Sequence, residues 1–154
     1  MSMERARAHL EKYGLADRIL EFDVSSATVA LAAQALGCEP EHIAKTLSFE
    51  RGEGALLILA AGDARIDNAK FKQRFGMKAR MLSADRVEPL IGHAVGGVCP
   101  FGVRPGVEVY LDASLRRFDV IYPAAGTPKS AVRLSVPELE RASEAIGWVD
   151  VCKA

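Results

Sequence analysis

The chain has 154 residues, twenty basic and twenty acidic, with hydrophobic and charged fractions of 49% and 26%, the balance of an ordinary globular domain. Zero net charge argues against a broad positive field gripping DNA or long RNA, so any RNA contact is expected to be short, such as a 3′ end. The length suits one domain over 1–154, and no apolar run approaches the roughly 20 residues of a membrane span.

The start, MSMERARAHLEKYG, is charged and lacks an apolar signal core, so the expected location is the cytoplasm. Met3 to Tyr13 reads as an amphipathic helix stopped by Gly14, and ILEFDV (19–24) as a strand. Ser25, Ser26 and Thr28 are candidate caps for an alanine-rich helix that runs to Leu36 and closes at Gly37. IAKTLSF (43–49) and ALLILAA (55–61) form a strand pair around the turn Arg51-Gly52-Glu53-Gly54. The second of these has no polar alternation and should be buried on both faces.

Helices are expected over 67–75, capped by Asp67 and stopped by Gly76, and over 84–91, with Ser83 and Gly92 at its ends. VGGVCPFGVRPG (95–106) reads as a structured loop, because linkers lack its Val, Cys and Phe. Short strands at 107–111 and 120–122 precede a second glycine and proline loop, AAGTPKS (124–130). A helix over 136–146, with Ser135 as cap and Pro137 at its first position, and an edge strand at 148–152 complete the chain. The order is mixed α/β without the regular alternation of a doubly wound sheet.

Lys45 interrupts an apolar strand. It is either a sheet-edge lysine with its head in water or a lysine turned into a cleft to meet a phosphate or carbonyl. Gly96 and Gly97 open a segment whose backbone could approach a ligand closely, or could simply connect core elements. Cys99 has no base supplied by its local sequence and reads as a small buried cysteine. No Gly-x-Ser-x-Gly elbow or triad is evident. Cys38, Cys99 and Cys152 are odd in number and widely spaced, which argues against a disulfide framework. Cys38 and His42 lack the second pair a zinc site needs, so no metal or other cofactor is expected.

Five phrases in order resemble the YbaK/ProX family of aminoacyl-tRNA editing domains: LGCEPEHIAKTLSFE, LILAAGDARIDNAKFKQRFG, VGGVCPFG, VYLDASLRRFDVIYPAAGT and VRLSVPELER. Together they cover roughly residues 24–141. The resemblance implies a compact, barrel-like mixed sheet flanked by helices. It also implies hydrolysis of the ester of mischarged tRNA, most readily tRNA(Pro), by a trans-acting deacylase with the tRNA acceptor end as partner and a prolyl-tRNA synthetase as a second one.

The family lysine falls on Lys45 and its Gly-x-x-x-Pro loop on Gly96 through Pro100, with Gly97 between them. The later glycine falls on Gly126. Where some members carry an aspartate or histidine after that glycine, this chain has Thr127-Pro128-Lys129-Ser130-Ala131, leaving Ser130 as the polar substitute. Phe22, Thr46, Cys99, Gly126 and Ser130 are the expected substrate contacts. The implied mechanism uses water, with the terminal ribose hydroxyl assisting, and no protein nucleophile. A silent tRNA-end or synthetase-binding module and a small amino-acid esterase are the rival readings. Near-zero net charge also leaves self-association open.

Overall fold

The strand pair read from the sequence is the centre of the molecule. In the computed structural model, which describes residues 2–153, β3 (Gly54–Ala61) is covered on both faces, and Ala55 through Ala61 are all buried. β2 (Ala44–Arg51) pairs with it antiparallel, placing Lys45 opposite Ala60 and Phe49 opposite Leu56. On its other side β3 runs parallel to β5 (Glu108–Asp112), which in turn runs parallel to the edge strand β9 (Gly147–Val149). A continuous apolar run is what a strand flanked by neighbours and covered on both faces requires.

Short antiparallel ladders surround this mixed sheet. They are β1 (Ile19–Glu21) with β7 (Ser130–Val132), β4 (Arg65–Ile66) with β10 (Cys152–Lys153), and β6 (Val120–Ile121) with β8 (Leu134–Ser135). The expected mixed α/β class and helix-flanked sheet are what the chain adopts. Among the described residues the ladders remain separate and do not close into a barrel.

The helices are α1 (Ser2–Glu11), α2 (Val29–Leu36), α3 (Asn68–Phe75), α4 (Ala84–Ile91) and α5 (Val136–Ala142). Thr28 caps α2 through its hydroxyl, and Asp67 caps α3 by accepting from Ala69 and Lys70. Such caps satisfy first-turn amides that have no acceptor within the helix. Ser83 stands at the start of α4 but makes no side-chain cap bond. α3 lies against the Lys45, Leu47 and Phe49 face of β2, with the rings of Phe49 and Phe71 4.9 Å apart.

Three boundaries differ from the sequence reading. β1 ends at Glu21 because the next amide, Phe22, donates to Lys129 and the chain then turns to cap α2. α5 stops at Ala142, four residues early, with Pro137 at its second position. Glu144 takes a positive φ of 55° and Ile146 donates to Val109, which delivers the chain to the sheet edge. The expected strand at 148–152 is split, because Val151 donates to the Asp112 carboxylate between β9 and β10.

Candidate functional site

Residues on alternate sides of β2 meet different surroundings. Leu47 and Phe49 pack in the core beneath α3, whereas Ala44, Thr46 and Ser48 line a cleft of about 330 Å³. The far walls are the starts of α2 and α4, through Val29, Ala32, Ala84 and Val87. The two glycine loops close it, through Val95, Gly96 and Val98 from one and Ala124 and Ser130 from the other. Met81 and Val95, more than half exposed, stand at the mouth.

The loops are held together by a close approach. A Cβ on Gly97 would stand 2.4 Å from the Thr127 nitrogen and 2.5 Å from the Gly126 carbonyl carbon, so only glycine lets the loops touch. Gly96 has a φ of 90° and packs toward Pro128 and Ala27. Ser130 is buried and staples its own loop: its Oγ accepts from Ala125 (3.2 Å) and donates to the Thr127 carbonyl (3.0 Å). Ser26 joins the next segment, its amide donating to Pro128 at 2.6 Å and its hydroxyl to the Ser130 carbonyl at 3.3 Å.

Lys45 borders the cleft and is half-buried. Its Nζ donates to the carbonyl of Ala64 and, at 3.4 Å, to that of Gly62, both in the turn between β3 and β4. Burial lowers its pKa below that of an ordinary lysine; Cys152 and Asp63 act in the opposite sense, and Arg65 adds to the lowering. An ammonium has three donors, so one remains for a ligand.

The start of α2 adds a second electropositive feature. Its first-turn amides carry the positive end of the helix dipole, and no acidic residue stands in that turn to neutralise it. Thr46 Oγ1 is buried without a hydrogen-bond partner among the described residues. The cleft therefore combines small apolar walls, hydroxyls and backbone donors.

Of the expected site residues, Lys45, Thr46, Gly96 and Ser130 reach the cleft wall. Gly97 and Gly126 lie behind it as the contact between the loops. Phe22 is held by its backbone beside Lys129 and does not line the cleft. Pro100 faces a separate cavity beside Arg5 and His9 of α1. Cys99 is fully buried, its Sγ 3.5 Å from His93 Nε2, and burial pushes its thiol up to about 12, so it is neither a wall of the cleft nor a thiolate.

Sequence reasoning did not find Ser26, Ser48 or the start of α2 as parts of the wall. Ser48 follows from Thr46 by the two-residue period of a strand, and Ser26 stood only among the candidate caps. Among the described residues, no three His, Cys, Asp or Glu side chains converge as a metal site would require.

Comparison with known proteins places this architecture. A family model described as the aminoacyl-tRNA editing domain matches residues 24–142. The chain is 50% identical to the uncharacterized protein YwhH of Bacillus subtilis (strain 168), over 99% of this chain and 98% of that one. It is 31% identical to part of the proline–tRNA ligase of Bacillus cytotoxicus, over half of this chain and 14% of the ligase. A solved structure described as a candidate trans-editing enzyme for prolyl-tRNA synthetase superimposes with a TM-score of 0.88 at 32% identity, covering 99% and 98% of the two chains.

Proposed function

Because the chain belongs to the aminoacyl-tRNA editing domain family, we propose that it is a trans-acting deacylase that hydrolyses the ester of mischarged tRNA, with tRNA(Pro) as the tRNA. The carrying observation is the cleft itself, in which two touching glycine loops face a hydroxyl-lined strand beside a half-buried lysine. The tRNA(Pro) assignment is supported by the partial match to a proline–tRNA ligase and by the likeness to the candidate prolyl trans-editing enzyme.

In this reading the terminal ester enters between the loops and β2, and the aminoacyl group rests on the small residues Ala32, Ala44 and Ala124. The free donor of Lys45 meets a phosphate oxygen of the terminal nucleotide. Amides at the start of α2 and along Val95–Gly96 orient the carbonyl and take up negative charge as it develops on the oxygen. Water adds to the carbonyl carbon and the ribose oxygen leaves with a proton, while the neighbouring ribose hydroxyl assists the transfer. An ester is already activated, so orientation supplies much of what the reaction needs. The thiols of Cys99 and Cys152, both pushed up to about 12, stay protonated and take no covalent part.

The test is deacylation of a panel of mischarged tRNAs, tRNA(Pro) carrying small amino acids first, against free amino-acid esters of the same side chains. Turnover of the charged tRNAs well above that of the free esters is expected. Binding without turnover would show a silent module, and equal turnover of both substrates a general esterase.

A further inference from the structure

Folding collects bases that are scattered along the sequence. α3 carries Lys70, Lys72 and Arg74 and no acid. Beside it a groove of about 660 Å³ is lined by Lys70, Arg74, Arg116 and Trp148, at the β9 edge of the sheet. The Arg116 guanidinium lies 4.0 Å from the centroid of the Trp148 ring, and that of Arg74 lies 5.5 Å from that of Tyr110. Stacking of this kind holds a planar cation in place while its edge remains free to donate.

A separate observation comes from the stretch between groove and cleft. In the β4–β10 ladder Arg65 stands directly opposite Lys153; both are exposed, and neither joins an ion pair among the described residues. Like charges opposed across an antiparallel ladder are destabilising. An anion bound between them would remove that cost.

The nearby acids are already engaged. Asp67 caps α3, Asp150 lines the groove 3.3 Å from Lys70, Asp63 is held by both terminal nitrogens of Arg117, and Glu140 accepts from the Trp148 Nε1–H at 2.8 Å. Lys70 Nζ also donates to the Cys152 carbonyl at 3.1 Å, which ties the groove to the ladder. The ladder in turn begins one residue after Ala64, whose carbonyl holds Lys45. Positive charge thus runs from the border of the cleft through Arg65 and Lys153 to the groove.

We propose that this track binds the sugar–phosphate backbone of the RNA whose 3′ end enters the cleft. Arg65, Arg74, Arg116 and Lys153 each neutralise a phosphate, while Lys70 stays paired with Asp150. The inference rests on the deacylase reading for the identity of the RNA, and it replaces the short footprint suggested by the balanced net charge with one of about four phosphate contacts.

The experiment measures binding of uncharged tRNA by fluorescence anisotropy across a salt series, which needs no hydrolysis. Arg65→Glu with Lys153→Glu, and separately Arg74→Glu with Arg116→Glu, should each reduce the salt slope by about two contacts and weaken binding at least tenfold. Both pairs should raise KM for mischarged tRNA, whereas hydrolysis of an aminoacyl-adenosine, which has no RNA body, reads the cleft alone. An unchanged slope in both pairs would overturn the proposal. So would an equal loss on the aminoacyl-adenosine, which would mark damage to the cleft. Retained tRNA binding with lost binding to a synthetase would assign the face to a protein and overturn it as well. Absence of turnover on either ester by the unaltered protein would overturn the deacylase reading alone, leaving the binding series to decide this one.

Discussion

In the proposed deacylase, Lys45 offers its remaining donor at the border of the cleft. Lys45→Met takes away a charge-assisted donor worth about 1.5–3 kcal/mol, so kcat/KM on mischarged tRNA should fall at least tenfold. Thermal melting checks that the fold survives. His93 offers a prediction independent of activity. It is fully buried, its Nε2–H donates to the Phe101 carbonyl at 2.6 Å, and its Nδ1 has no partner among the described residues. Burial lowers its pKa below that of an ordinary histidine; the Phe101 carbonyl and Glu88 oppose this, and Arg5 and His9 reinforce it. Cys99, also in contact, is neutral. Below the ordinary histidine value of about 6.5, the unfolded chain takes up a proton that the folded chain refuses. Stability is therefore full above that pH and falls as the pH drops toward the folded value. Melting temperature should decline below about pH 6.5, and His93→Gln should flatten that decline.

Among the elements, the two glycine loops act as one wall only while they touch. Gly97→Ala would drive a methyl group into the backbone of Gly126 and Thr127. The overpacking cost is about 1–3 kcal/mol, and the displacement should reduce kcat/KM at temperatures where the variant remains folded. Urea denaturation beside initial rates separates the two effects. Most elements of this wall were legible in advance, because local signals specify them. Thr28 and Gly37 bracket α2, and the Val–Cys–Phe content of the first loop marked it as structured. The ladders of two or three residues were not legible, since so few residues have no period to read. α5 was read too long for a related reason. Ser143 to Ile146 continue a helical pattern, but a bond from Ile146 to Val109 draws them to the sheet instead.

At the scale of the whole molecule, one buried carboxylate joins the sheet to the C-terminal segment. Asp112 accepts from Ser114 and from Val151, each at 2.9 Å, and the Ser114 hydroxyl in turn accepts from Ala61. Asp112→Ala leaves two amides without their acceptor and should cost about 3 kcal/mol by urea denaturation, with Asp112→Asn less affected. The sequence by itself determined the mixed α/β class, the buried central strand, the glycine stops of α2, α3 and α4, and the family. Each of these depends on neighbours along the chain or on phrases that survive in order. Only the tertiary structure decided that Pro100 faces away from the cleft and that Ser130 binds its own loop. It also decided that Arg65 stands opposite Lys153, and that Arg116 meets Arg74 in one groove, in a molecule with no net charge. Net charge is a sum over residues, whereas a charged face depends on which of them the crossovers of the sheet bring together.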